Sequence, residues 1–381
     1  MPLMDYDKKS LELHEKNQGK IEIKSLVRVE TKEDLSIAYT PGIGAVCKKI
    51  ESDNKAKYKY TSIGKTIAVI SNGTAVLGFG DIGADASYPV MEGKAVLFKE
   101  FGGLNAYPLT LDIKDSDEFI KHVEVISANF AGINLEDIKA PECFYIEKEL
   151  KKKLDIPIFH DDQHGTAIVV SAALENSLKL ANIEKPKIVI SGAGSAGIAI
   201  GKMLKNMGHN NIFMLDSKGL ITNNREFSGK DEEKKNFAIN EKEANLEQCL
   251  NEADVFIGVS KPKIFKPNYL ELMNDKPIIF ALSNPNPEVE PDSINPFIMA
   301  TGRSDHPNQI NNVLAFPGIF NGALKAGAKN ITEKMKVAAA KAIAESVKPS
   351  VDNIIPNALD KKVHEKVSLA VQEEARKEKD D

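Results

Sequence analysis

Residues 187–197 read Lys-Ile-Val-Ile-Ser-Gly-Ala-Gly-Ser-Ala-Gly, and this run constrains the chain more than any other. An apolar, strand-like stretch enters Gly192-x-Gly194-x-x-Gly197, and a helix-compatible segment leaves it. In that context Gly192 permits a tight turn, Gly194 lets the backbone approach a pyrophosphate, and Gly197 lets helix and strand pack closely. The helix start at Ser195 and Ala196 would present free N–H groups and a positive dipole end to phosphate. A second predicted strand over 211–215 runs into Asp216, the spacing at which an acid accepts a ribose hydroxyl. Such an acid favours NAD over NADP, whereas Lys218, close behind, would do the opposite. The alternative is a glycine-rich turn in some other α/β protein.

The chain alternates on both sides of this motif. Strands predicted over 108–113, 132–135 and 156–159 each precede a helix, over 116–127, 141–154 and 165–180. Further strands are expected over 187–191, 254–259, 278–282 and 297–300. Such alternation implies parallel sheets with right-handed crossovers, an α/β fold. A length of 381 residues suits two domains. We expect an N-terminal α/β domain with a parallel sheet over 1–164, carrying the catalytic and metal-binding groups. A Rossmann-type dinucleotide-binding domain is expected over 165–381. Its closing helices, over 332–347 and 360–375, are free to pack back on the first domain. At the front, strands over 66–70 and 74–77 are expected to form a hairpin around Ser71-Asn72-Gly73. A glycine-rich loop over 78–83 and a helix over 93–101 follow.

Composition narrows the class of partner. A net charge of −5 gives no basic face for nucleic acid. No apolar run reaches membrane-spanning length, and the first residues lack the apolar core of a secretory signal. Cys47, Cys143 and Cys249 form no C-x-x-C pair, so a reducing cytoplasm is expected.

Two acidic pairs end neighbouring predicted strands, Glu136-Asp137 and Asp161-Asp162. Ligand sites of open α/β sheets form at that edge. Carboxylates gathered there repel one another unless a cation sits among them, and hard oxygen donors suit Mg2+ or Mn2+. The bland reading makes Asp137 and the later pair helix caps. His160 and His164 have the spacing of two ligands on one helix, but a strand precedes His160. Hydrogen bonds to the neighbouring carboxylates are expected for them instead. Lys94 follows the glycine-rich loop beside an apolar stretch, and in a dry site it would lose proton affinity and become a base. Tyr39 stands before Pro41-Gly42 on a shaped loop and can donate a proton. Asn284 and Asn312 fall where nicotinamide and substrate would meet. A surface lysine, a packing aromatic and turn-forming asparagines are the plain readings of these residues.

Taken together, these segments resemble the malic enzymes, in their short prokaryotic form, from about residue 26 to residue 322. The matching stretches include Ala38-Tyr39-Thr40-Pro41-Gly42, Gly78-Phe79-Gly80-Asp81, Glu92-Gly93-Lys94-Ala95, Leu135-Glu136-Asp137 and residues 159–166. Gly192-Ala193-Gly194, Ser283-Asn284-Pro285 and Asn311-Asn312 complete the series. The resemblance implies NAD(P)-dependent, divalent-metal-dependent oxidative decarboxylation of malate to pyruvate. It implies Lys94 as the base, Glu136, Asp137 and Asp162 as metal ligands, and Asp161 beside them orienting Lys94 or a metal-bound water. Tyr39 would protonate the enol carbon, Asn284 and Asn312 would hold substrate, and Asn284 would also touch the cofactor. The larger animal-type enzymes carry a substrate-binding arginine where Ala75 stands. The NADP-using ones carry a lysine near the place of Ala244, whose absence favours NAD. No acyltransferase-like extension is expected. A homodimer is expected from size alone. Two rival readings are a metal-free hydroxy- or amino-acid dehydrogenase and a non-catalytic NAD-binding regulator.

Overall fold

In the computed structural model, residues 3–76, 78–227 and 229–380 are described. Four helices lead the chain, α1 (Leu3–Asn17), α2 (Lys32–Ala38), α3 (Ile43–Ser52) and the single turn α4 (Lys57–Tyr60). α2 is started by a capping box between Thr31 and Asp34. Neither α2 nor α3 buries a residue. Ile23, Leu26 and Ile37 are 82%, 81% and 69% exposed, so this arm has no core of its own to rest on.

The first sheet holds β1 (Thr66–Ser71), β2 (Asn105–Thr110), β3 (Gly132–Leu135) and β4 (Ile158–His160), all parallel, in the order β2-β1-β3-β4. β1 and β3 are apolar and fully buried, as strands covered on both faces must be. The crossovers are α5 (Gly83–Gly102), α6 (Ser116–Ile126) and α7 (Glu142–Lys153).

The expected hairpin after β1 does not form. Both edges of β1 are taken by β2 and β3, which leaves no edge for a returning strand. The segment after Ser71 crosses the end of the sheet instead. It is pinned there by Ala75 N–H to Asp137 C=O at 2.9 Å and Lys139 N–H to Thr74 Oγ1 at 3.1 Å. Leu77, at the end of that expected strand, lies outside the described residues. Gly73 sits at φ +66, and a Cβ there would overlap the Gly83 carbonyl, so the turn onto α5 requires glycine. α5 itself starts ten residues before the expected 93, at Gly83, and carries Pro89 inside it.

α8 (Asp161–Ala181) follows β4 directly and leads into the second sheet. It starts four residues before the expected 165, so the domain division expected between 164 and 165 falls within its first turns. The second sheet runs β10-β9-β8-β5-β6-β7. Its strands are β5 (Ile188–Ser191), β6 (Ile212–Asp216), β7 (Gly219–Leu220), β8 (Val255–Gly258), β9 (Ile278–Ala281) and β10 (Ile298–Thr301). All pair in parallel except β7, which is antiparallel to β6. α9 (Ser195–Asn206) follows β5 and the short α10 (Leu246–Leu250) precedes β8, giving the Rossmann pattern.

Three helices close the chain, α11 (Phe316–Ala326), α12 (Glu333–Ala344) and α13 (Lys361–Asp380). The sequence reading missed α11, whose Pro317, Gly318 and Gly322 read locally as loop residues although Pro317 sits in the first turn, where a helix accepts it. Phe316 and Phe320 of α11 pack on Phe98 of α5, with ring centroids 4.8 and 5.4 Å apart. α11 thereby ties the end of the chain to the first sheet's layer.

Candidate active site

The carboxyl ends of β1 and β3, the start of α8 and the loops of the second sheet face one cleft of about 1040 Å3. Lys94 on α5, Glu136 and Asp137 after β3, Asp162 on α8, Ser195 and Ala196 after the glycine turn, and Asn284 and Asn312 all line it.

Lys94 is 8% exposed. Its ammonium donates to Asp161 Oδ2 at 2.6 Å and to Glu136 Oε1 at 2.9 Å, and it lies 4.4 Å above the Phe316 ring. Burial lowers the pKa of this lysine, but Asp161 and Glu136 outweigh burial and hold it above the ordinary lysine value. The expectation that a dry site alone weakens its hold on the proton is thus corrected: the two carboxylates decide. Asn312 also donates to Asp161 Oδ2. A Cβ at Gly165 would overlap Asp161 Oδ1, so glycine there, one turn along α8, lets the carboxylate fold back toward Lys94.

Glu136, Asp137 and Asp162 each offer an oxygen within 4.8 Å of the others. Asp137 adopts φ +53, and its N–H donates to Asp162 Oδ2 at 2.8 Å. Asn134 Nδ2 steadies Glu136 Oε2 at 2.9 Å. Asp137 Oδ2 is buried with no hydrogen-bond partner. Burial first, then Asp162 and Glu136, push Asp137 up to about 9. Burial and Asp161 raise Asp162 to about 6, against Lys94. Burial and Glu136 raise Asp161 to about 7, also against Lys94. Hard oxygens forced together, one of them unpartnered, fit a small divalent cation.

Neither histidine behaves as expected. His160 ends β4 fully buried, with Nε2 3.8 Å from Asp162 Oδ2, beyond hydrogen-bond reach. His164 sits on α8 and bonds through Nε2 to both oxygens of Glu147 at 2.9 Å, a residue of α7 and not one of its acidic neighbours.

The glycine turn takes the expected shape. Gly192 has φ +120, and a Cβ on Gly197 would overlap the Gly192 carbonyl. A Cβ on Gly194 would meet nothing within 4 Å, leaving its backbone open to a ligand. Asp216 ends β6 with its carboxylate already engaged. Arg225 Nη1 lies 2.8 Å away, Lys218 N–H 2.9 Å and Lys234 Nζ 3.1 Å. Burial pushes its pKa up, but these donors outweigh burial and hold it below the usual carboxylate value.

Tyr39 is not brought to this cleft. It caps α2 and is 67% exposed. Residues not singled out from sequence also shape the site. Lys20 lines the cleft, its ammonium held by the Pro89 carbonyl at 2.8 Å, and offers a cation where Ala75 offers none. Glu288 is fully buried and accepts the N–H groups of Ser260 and Ser283, fixing two cofactor-side loops. Nothing local marks either residue. Their roles come from segments far apart in the chain.

Known proteins resemble this chain over nearly its whole length. The family model of the malic enzyme N-terminal domain matches residues 16–151, and that of the malic enzyme NAD-binding domain matches residues 163–302 and 293–376. The chain is 48% identical to a bifunctional malic/malolactic enzyme of Bacillus subtilis, over 97% of this chain and 92% of that one. It is 50% identical to an NAD-dependent malic enzyme of Geobacillus stearothermophilus, over 94% and 77% of the two chains. The crystal structure of an NAD-dependent malic enzyme from Thermotoga maritima superposes with a TM-score of 0.92 at 44% identity, covering 95% and 98%. That of a malic enzyme from Pyrococcus horikoshii gives 0.94 at 43% identity, covering 98% and 91%. Among the described residues, no helix is long and apolar enough to cross a membrane.

Proposed function

The chain belongs to the malic enzyme family, and from that premise we propose that it oxidises malate with NAD or NADP and decarboxylates the product to pyruvate and carbon dioxide. The observation that carries this is the contact of Lys94 with Asp161 and Glu136 beside three clustered carboxylate oxygens, in the cleft that the glycine turn also lines.

Glu136, Asp137 and Asp162 would hold Mg2+ or Mn2+, and Ser195, Ala196 and the turn at Gly192, Gly194 and Gly197 would hold the dinucleotide. When bound, these two groups supply hydride acceptance, polarisation of the substrate C2 oxygen and neutralisation of the charge left as carbon dioxide departs. The protein's own part is proton traffic and orientation. Neutral Lys94 takes the C2 hydroxyl proton at its Nζ, and Asp161, buried on it, holds the ammonium so formed in place and offsets its positive charge. To become that base, the resting lysine first passes its own proton to water, which requires Glu136 to be drawn off Lys94, since the two carboxylates hold it protonated. Asn312, bonded to Asp161, and Asn284, beside the nicotinamide side, orient the substrate carboxylates. Lys20 supplies a cation at the cleft wall. Tyr39 delivers the proton to C3 of the enol.

Tyr39 can serve only if it is carried to a cleft it does not line. A second copy, seated along the apolar arm of residues 21–43, provides that route, so we take the working unit as a homodimer. The chain is divided between a catalytic domain over 1–164 and a dinucleotide domain over 165–381, with α8 running through the division. The dinucleotide is NAD with NADP also accepted, because Asp216 stands between Arg225 and Lys234. The cytoplasm suits its three free cysteines, one of them exposed.

The deciding experiment is a malate assay with each dinucleotide, with and without Mg2+, following carbon dioxide release. Metal-dependent formation of reduced dinucleotide and carbon dioxide in equal amounts is expected. Full activity in excess EDTA would instead favour a metal-free dehydrogenase.

A further inference from the structure

A second cavity of about 310 Å3 lies behind the cleft, between α7, α8, α9 and α12. α8 gives Asp162, Thr166 and Val169 to the cleft but Gln163, His164 and Ala167 to this cavity. α9 divides in the same way, Ser195 and Ala196 against Ile198 and Ala199. No residue lines both, so the two spaces are separate and share their walls.

The cavity has an apolar floor, with Ile198 and Met203, and a cationic wall. Five lysines line it, Lys148, Lys151, Lys152, Lys202 and Lys336, against three glutamates, Glu147, Glu233 and Glu333. Every one of those carboxylates is already matched. Glu147 takes Lys151 at 2.8 Å and His164, Glu233 takes Lys202, and Glu333 takes Lys336. Lys152 is held by Glu149 at 2.6 Å. Lys148 has neither a hydrogen bond nor an ion pair among the described residues. Lys336 is 4% exposed, with its ammonium also 3.1 Å from His164 Nδ1. Gln163 is likewise 4% exposed, and its Nε2 has no partner.

A buried amide donor left unpaired costs on the order of 1–3 kcal/mol, and such groups are ordinarily satisfied by a ligand or water. Here the unspent groups are the Gln163 amide and the Lys148 ammonium, both donors, and every carboxylate lining the cavity is already engaged. That combination selects an anion. The volume is about that of ten water molecules at ~30 Å3 each, enough for a few heavy atoms and too small for a dinucleotide.

We propose that this cavity binds a small dianion, inorganic phosphate or a short dicarboxylate, and that its occupancy is felt in the active cleft through α8. Gln163 is the residue next to Asp162, so a ligand drawing on its amide pulls on the turn that carries one of the clustered carboxylates. The binding half is independent of the assigned reaction; the coupling half rests on it.

The test is calorimetric titration of the protein, loaded with Mg2+ and NAD, with inorganic phosphate and separately with succinate. One saturable site per chain is expected for at least one of the two, and the tighter one identifies the ligand chemistry. Lys148→Gln, a surface change, and Gln163→Leu are each expected to weaken it about ten-fold, the effect of losing one charge-assisted or buried hydrogen bond. Lys148→Gln is expected to leave turnover without added anion unchanged. The anion is expected to change the KM for malate in the parent and not in Lys148→Gln. Absence of saturable binding by both probes, or undiminished binding in both variants, would overturn the site. Binding with an unmoved KM would overturn the coupling.

Discussion

Lys94 keeps its charge where water barely reaches, and its proton is held by two carboxylates on different strand ends. As the proposed base, its replacement in Lys94→Ala should lower kcat by about 10²- to 10⁴-fold, the usual share of a positioned base. KM for malate should change little, and steady-state kinetics with a circular dichroism check of folding measures both. Asp137 gives a second expectation. Its folded pKa is pushed up to about 9 from an ordinary value of 3.8, so the metal-free folded protein keeps a proton that the unfolded chain has lost. That contribution to stability is complete below about pH 4 and is lost as pH rises toward 9. Asp137→Asn should therefore gain melting temperature relative to the parent as pH rises from 5 to 9 in EDTA. A difference that stays level across that range would show Asp137 to be ionised throughout. Lys94 and the acidic pairs were legible in the sequence as residue types at strand ends. The raised pKa of Lys94 was not, because it depends on which carboxylate touches which nitrogen.

Elements were read well where their pattern is clean and poorly where local turn and loop residues point away from the tertiary outcome. α6 and every strand of the two sheets except the two-residue β7 came out within a few residues, since a strand covered on both faces is a short apolar run whatever surrounds it. α11 was missed because Pro317, Gly318 and Gly322 read locally as loop residues, although Pro317 only opens the helix. The hairpin after β1 was wrongly expected because Asn72-Gly73 is strong local turn chemistry, and only the neighbours of β1 forbid it. α11 is also the element that joins the two halves. Phe320 is fully buried on Phe98 and Phe159, so Phe320→Ala should cost about 3–5 kcal/mol in denaturant unfolding. A loss below about 1 kcal/mol would mean that the junction refills the space, as a loosely packed contact does.

At the scale of the molecule, the exposed arm sets the remaining expectations. A run of apolar side chains with no core beneath it needs a partner surface. Sedimentation should give a dimer. Tyr39→Phe should depress pyruvate formation far more than binding of malate or NAD. Mixed with Lys94→Ala after joint refolding, it should recover toward about a quarter of parental turnover, the statistical share of hybrid dimers with one intact site. No recovery in the mixture would return Tyr39 to its own chain's cleft or remove it from the reaction. At the cofactor end, Arg225→Ala should weaken NADP more than NAD, measured as the ratio of their kcat/KM values. An unchanged ratio would take Arg225 out of the discrimination.

By itself the sequence determined the two parallel sheets, the glycine turn and the acidic strand ends, because each rests on short-range rules: apolar runs, positive φ, and the chemistry of adjacent residues. Tertiary structure alone decided that Glu136 and Asp161 share Lys94, that Asp216 is flanked by Arg225 and Lys234, that Lys20 enters the cleft and Tyr39 does not. These contacts join residues far apart in the chain, 67 positions for Lys94 and Asp161 and 69 for Lys20 and Pro89, and no local preference encodes them. They follow from how the helices pack over the sheets, which burial drives and only the folded chain as a whole can satisfy.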